Sequence, residues 1–351
     1  MSVSKEVEPR AVGKSESDVP PGFSLPRLKA LMHRAIDATG LNLSGLTVLT
    51  EAASGAYAST AVLAAMAGAD QVYAFVRPSR YGSAAEIEAS TLELASLVGV
   101  AGRITVLEAI HPEILASVDI VTNSGHLRPL TAHLIDQLPS RAVIALMFEA
   151  WEFRPEDIDL EACSRRRIPV VGVNERHPSV DVFSFLGPLC VKQLHDCGLA
   201  AYGSRVALLC DNGFAEPMRR GLTGIGASVE TFDCADTVFR DEWDAIVVAL
   251  QPASDPRIGK AEARHLADAA PAGTALLQFF GDVDRDAVLE YGLSAWPSEP
   301  PARGHMGILL SAIGPEPIVR LQTGGLRAAE WIARGGVASP DGIAQLVQHA
   351  R

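Results

Sequence analysis

At 351 residues, 48% of them hydrophobic, the chain is long enough for two domains of ~100–200 residues each. Its net charge of −12 argues against a general nucleic-acid or anionic-membrane surface, so any phosphate recognition has to use local cations. Five cysteines with no CxxC pair argue against a disulfide framework or a structural zinc site, and no apolar run reaches the ~18 residues of a membrane span.

Residues 1–22 are polar, contain Pro and Ser, and lack an apolar signal core, so they read as a disordered leader on a cytoplasmic enzyme. Residues 25–39 carry helical spacing (Leu28, Leu31, Met32, Ala35, Ile36) and end at Gly40, a good helix terminator. Residues 46–80 then organise the first half. An apolar strand (46–50) meets a small-residue loop around Gly55. An Ala-rich helix (59–67) follows, and a second strand (72–76) ends at Arg77, Ser79 and Arg80. Strand, loop, helix, strand, basic tip is the order of a nucleotide-binding βαβ unit.

A helix over 82–98 follows, with strands over 104–107 and 118–122, a helix over 130–138, and a strongly apolar strand over 142–148. The alternation predicts a parallel sheet covered on both faces. After an acidic loop (149–159), a helical turn and a strand over 168–173 lead to Asn174-Glu175-Arg176-His177. Residues 180–199 read as a long helix kinked at Gly187-Pro188. The pattern restarts at residue 205, with strands over 205–210, 228–232, 243–250 and 275–279, helices over 215–223 and 260–269, and a last helix over 325–334. The expected fold is α/β: two Rossmann-like doubly wound lobes with mostly parallel sheets, joined by a long helix. The expected units are a leader (1–22), a nucleotide-binding domain (23–178), a linking helix (179–202) and a second domain with a C-terminal helix (203–351).

Small side chains at Ser54, Gly55 and Ala56 let the backbone approach a ligand, and the helix after them offers free N–H groups, the elements of a phosphate seat. Gly-x-Gly-x-x-Gly is absent there, and an unliganded strand-to-helix turn is the plainer reading. At the second strand's tip an acid suits a ribose and an arginine suits a 2′-phosphate. Arg77, Ser79 and Arg80 therefore favour NADP, with solvated loop arginines as the plainer reading. The glycine-rich 221–227 segment follows a helix and precedes a strand, so it reads as a helix end rather than a binding loop.

The segments DIVTNSG (119–125), PLT (129–131), LID (134–136), AVI (142–144), IDLEAC (158–163) and RIPV (167–170) resemble the later nucleotide-binding half of NAD(P)-dependent 2-hydroxyacid dehydrogenases. The resemblance spans residues 46–175 and implies a Rossmann-type domain, an interdomain cleft and a homodimer. The group's glycine fingerprint is absent here, and its dinucleotide domain follows a substrate-domain segment, whereas here it comes first. No catalytic residue is carried over.

Ligands of open α/β sheets sit beyond the carboxyl ends of strands. The polar tips there give Asn123 and Ser124 as cofactor contacts, and His177 or His305 as a catalytic acid, with Glu175 tuning the former. Arg154 and Arg176 are candidate holders of a substrate carboxylate. No residue cluster supports a metal. The reading is an NADP-dependent oxidoreductase acting on a small polar or anionic metabolite in the cleft, without nucleic-acid or membrane partners. An S-adenosylmethionine-dependent methyltransferase is one alternative, suited by Glu51 at the first strand's end. A non-catalytic two-lobe ligand-binding protein is another.

Overall fold

The structure, a computed structural model, describes residues 20–79, 81–337 and 339–347. The first lobe opens with α1 (Leu25–Thr39), closed by Gly40 in the left-handed region at φ 62°. Then come β1 (Thr47–Glu51), α2 (Ser59–Met66), β2 (Gln71–Phe75), α3 (Ala84–Leu97) and β3 (Ile104–Leu107). Ser83 and Glu86 form a reciprocal capping box that starts α3. The lobe continues through α4 (Pro112–Leu115), β4 (Ile120–Thr122), α5 (Ala132–Ile135), β5 (Val143–Ala145), α6 (Leu160–Arg166) and β6 (Val170–Val173).

The second lobe contains α7 (Leu186–Asp196), β7 (Arg205–Leu209), α8 (Ala215–Gly224), β8 (Ser228–Phe232), β9 (Ala245–Ala249) and α9 (Lys260–Ala269). It ends with β10 (Ala275–Phe280), α10 (Arg285–Glu290) and β11 (Ser294–Trp296). The chain then returns as α11 (Glu316–Ala333) and β12 (Ala344–Leu346).

The first sheet runs β12-β6-β5-β4-β1-β2-β3, with only β12 antiparallel to its neighbour. Leaving out that edge strand, this is the 3-2-1-4-5-6 order of dinucleotide-binding sheets, whose topological switch lies between β1 and β4. The second sheet, β11-β10-β9-β7-β8, is parallel throughout and has flavodoxin-like order. The two-lobe α/β fold expected from the sequence is therefore present.

Three local readings change. The linking helix expected over 179–202 is shorter: α7 begins at Leu186, so Pro188 falls in its first turn, where a missing N–H costs nothing, and no kink is needed. α7 packs on α8 within the second lobe. A methyl on Gly187 would lie 2.7 Å from the Gly221 Cα, so Gly221 serves helix packing, and the 221–227 segment ends a helix as expected.

The second change is the C-terminal helix. It is longer than expected and packs on the first lobe, against α1, α2, β5 and β6. Its Ile318, Val319, Leu321 and Leu326 are buried there, each burial contributing about 1.5–3 kcal/mol. The buried Glu330 accepts from Asn42 N at 3.1 Å and from Arg327 at 2.7 Å. The third is the strand over 142–148, which stops at Ala145. Met147 then takes φ 67° and turns the chain, and the small Gly325 of α11 leaves room for its side chain.

Candidate active site

The carboxyl ends of β1 and β4 meet at the switch. Glu51, the last residue of β1, is buried and accepts from His126 N at 3.1 Å. A methyl on Gly125 would land on the Glu51 carboxylate, so only glycine fits over it. Burial pushes Glu51 above the usual carboxylate range, opposed by the His126 N–H, Arg128 and Ser124. Tyr57, in the loop after β1, is pushed up to about 12 by burial and by the nearby Glu51. Thr122 Oγ1 donates to Thr50 Oγ1 at 2.8 Å and lies 2.8 Å from Ser124 Oγ. Ser124, expected to touch a cofactor, thus spends its hydroxyl in the floor of the switch.

Gly55 stands at φ 60° with nothing within 4 Å of where a side chain would begin. Neither Ser54 nor Ala58 caps the turn and helix that follow with its side chain. The open space lies at Gly55 itself; the Ser59 N–H at the start of α2 is bonded to the Ala56 and Tyr57 carbonyls. Asn123, at the end of β4, is fully buried, and both polar atoms of its amide lack a partner among the described residues. An amide left so costs about 1–3 kcal/mol.

At the tip of β2, Arg77 donates to the carbonyls of His126 (2.7 Å) and Arg128 (3.2 Å). Ser79 Oγ accepts from Tyr81 N at 3.1 Å within its own turn. Arg80 lies outside the described residues. Arg128 in turn donates to the Asn123 carbonyl at 3.1 and 2.9 Å. It lies 3.8 Å from Asp157, which pairs with Arg154 at 3.1 Å. Both guanidinium groups stand near the Phe148 ring, 5.6 Å and 5.4 Å from its centroid. One connected set of cations and carbonyls thus runs from the β2 tip to Arg154.

Arg154 opens onto a pocket of about 130 Å³ between the lobes. Phe148 and residues 151–154 line it from the first lobe, and Gln251, Pro252, Phe280 and Gly304 from the second. Arg154 reaches the Gly304 carbonyl at 3.3 Å. Asp282 holds Gly304 N at 3.0 Å, and Gly307 N bonds to the Phe279 carbonyl at 2.9 Å, so the loop carrying His305 is seated on the end of β10. Burial lowers the His305 ring below the usual histidine range, and Arg154 and Arg128 push the same way.

Behind the pocket the fully buried Glu149 accepts from Trp151 Nε1, from Glu175 N at 3.1 Å and from Arg176 at 3.3 Å. Trp151 crosses to the second lobe, 5.8 Å from Phe214 and 6.4 Å from Phe280 between ring centroids. Glu152 is pushed up to about 8 by burial and by the Glu149 charge. Burial, Glu152 and Glu149 hold Glu175 well above the carboxylate range.

Of the residues expected to act, Arg154 lines the pocket, and His305 follows the lining residue Gly304 and feels the Arg154 charge without lining the pocket itself. His177 does not join them. Its Nδ1 lies 2.8 Å from Ser179 Oγ, it neighbours Asp341, and it is not in the pocket lining. Glu175 does not tune it but belongs with Glu149 and Glu152, because the chain turns after β6, His177 N bonding back to the Asn174 carbonyl at 3.0 Å. Arg176 is committed to Glu149 and stacks over Phe183 at 5.1 Å, so its charge offsets a buried carboxylate. Sequence reasoning missed Arg128 and Asp157 as parts of the site. Glu152 stands with Glu149, Trp151 and Arg154 at one of the polar strand tips the sequence offers, a solvated loop being the plainer reading there, and it is not singled out. Among the described residues no group of three His, Cys, Asp or Glu is placed to hold a metal, and no helix is long and apolar enough to cross a membrane.

The architecture is α/β with two Rossmann-like lobes built on mostly parallel sheets of seven and five strands. No family model matches the chain, and no curated protein matches it. Among solved structures, a dipicolinate synthase component from Bacillus halodurans is similar with a TM-score of 0.53 and 12% identity, over 83% of this chain and 98% of that one. The pyruvate reductase of Chlamydomonas reinhardtii is similar with a TM-score of 0.51 and 12% identity, over 85% and 98%. Likeness at this identity establishes the fold.

Proposed function

We propose that the chain is an NADP-dependent oxidoreductase acting on a small anionic metabolite between its lobes. The observation that carries this reading is the direct continuity between a 3-2-1-4-5-6 switch and a pocket bearing Arg154. Ligands of such sheets lie at the switch, and a guanidinium facing a small pocket is the fork that carboxylates prefer.

The residues at the switch fit a dinucleotide. The loop Ser54-Gly55-Ala56 would seat a pyrophosphate at Gly55, where an added side chain meets nothing within 4 Å. Arg77 and Ser79 would hold a 2′-phosphate, Arg77 exchanging carbonyls for charged oxygens, a stronger bond. The unpartnered amide of Asn123 would serve the far end of the cofactor. When bound, the dinucleotide supplies or accepts hydride. Arg154 anchors the metabolite's anionic group, and Phe148, Trp151, Phe153 and Phe280 keep water from the reacting centre.

Glu51 motivated the S-adenosylmethionine alternative. Its carboxylate is spent beneath the β4 loop, which favours the dinucleotide. Calorimetry with NADPH, NADH and S-adenosylmethionine, followed by a panel of small oxo acids with NADPH, tests the reading. Binding of NADPH and turnover of an oxo acid are expected. Failure of both dinucleotides to bind contradicts it.

A further inference from the structure

Two carboxyl groups stand at the pocket, Glu152 in its lining and Glu149 buried behind it, and their surroundings treat them oppositely. Glu149 accepts hydrogen bonds from Trp151, Glu175 N and Arg176. Glu152, one helical turn on, lines the pocket and accepts no hydrogen bond among the described residues. It stands against the Glu149 charge, and two like charges this close cannot both ionise readily. The groups facing it are Glu149 and Arg154 from its own segment and Glu175 from the end of β6, with Arg176 drawn off by Glu149. From the second lobe, His305 is the titratable group brought to Arg154.

We infer that Glu152, not a histidine, is the acid of this pocket, donating its proton to the oxygen of the metabolite that Arg154 holds. The inference rests on the oxidoreductase reading and assigns a catalytic residue within it. In the reductive direction the carbonyl carbon gains a hydride from the reduced nicotinamide. The C=O π pair moves onto oxygen, and that oxygen takes the Glu152 proton. Glu152 is left as a carboxylate and regains a proton from water at the pocket mouth. The sum is carbonyl, reduced dinucleotide and one proton giving alcohol and oxidised dinucleotide. Burial supports the assignment from the other side: it pushes Glu152 up to about 8, whereas burial, with Arg154 and Arg128, works against a proton on His305.

The test has one arm without cofactor. Infrared titration of the full chain should show a carboxylic-acid C=O absorption that disappears with a midpoint near pH 8. Glu152→Gln should remove that absorption, while Glu175→Gln removes a different one. Absence at pH 7 of any acid absorption that Glu152→Gln removes overturns the inference. In the second arm, kcat for oxo-acid reduction with saturating NADPH should fall above pH 8. Glu152→Gln should lower kcat about 10²–10⁴-fold, with KM little changed and the alkaline limb gone, while the limb stays in His305→Asn. A limb that follows His305 instead overturns the inference. Lack of dinucleotide binding in calorimetry would instead mark failure of the oxidoreductase reading, and the infrared arm would still judge Glu152.

Discussion

The guanidinium of Arg77 donates to the His126 carbonyl at 2.7 Å, tying the tip of β2 to the loop after β4 across the end of β1. The same nitrogen reaches the Arg128 carbonyl at 3.2 Å. A cofactor phosphate at the β2 tip would compete for these donors and win, because an ionised acceptor makes a bond roughly twice as strong as a neutral carbonyl. Arg77→Gln should weaken NADPH binding about 10- to 100-fold, the worth of a hydrogen bond to a charged group, and leave NADH binding unchanged. Equal losses for the two dinucleotides would assign Arg77 to loop structure alone.

Gly125 and Glu51 form a second close pair. A methyl at residue 125 would meet the Glu51 carboxylate, and the backbone there stands at φ 38°. Gly125→Ala should destabilise the chain by about 1–3 kcal/mol, the usual scale of overpacking. Adding Glu51→Ala should recover part of that loss, with the backbone strain remaining. Strict additivity of the two changes in denaturant unfolding would contradict the contact.

Arg154, the proposed anchor of the metabolite's anionic group, pairs with Asp157 at 3.1 Å. Arg154→Gln should raise KM for an oxo acid about 10- to 100-fold with NADPH affinity intact. Asp157→Asn should have a smaller effect of the same kind, since it acts through Arg128 and Arg154. Steady-state kinetics separates the two. An Arg154→Gln variant with unchanged KM would remove the arginine from the substrate site.

Glu152 also makes stability depend on pH. Its carboxyl titrates near 8 in the folded chain and near 4.5 when unfolded. Between those values the folded state keeps a proton that the unfolded state has released, so this contribution is present below about pH 4.5 and is lost as pH rises through about 8. Urea unfolding across that window should show wild type losing stability relative to Glu152→Gln as pH increases. Glu51 and Glu175, both raised, contribute in the same direction and remain in the variant. Parallel pH profiles for the two proteins would contradict the raised Glu152 carboxyl.

The sequence shows strands well where the apolar run is complete. Residues 46–50, 72–76 and 104–107 sit within one residue of β1, β2 and β3, because buried parallel strands need continuous β-branched or apolar side chains. It shows the return of α11 to the first lobe poorly. Nothing local in the last forty residues encodes that Gly325 must clear Met147, or that Glu330 must reach Asn42 N. Arg154 and His305 were legible as strand-tip polar residues. Their meeting was not, since it depends on how Phe280 and Trp151 bring the two sheets together. Glu152 was visible at the same strand tip, but a role for it was not, because an acid in an acidic loop reads as solvated until Trp151 and Glu149 are placed around it.

The most direct test of the central claim, a dinucleotide seated at the β1–β4 switch with its phosphate on Arg77, is a calorimetric titration of the full chain with NADPH and NADH, repeated on Arg77→Gln. NADPH should bind more tightly than NADH to wild type, and that preference should vanish in the variant. Binding of neither dinucleotide, with S-adenosylmethionine giving heat instead, would contradict it.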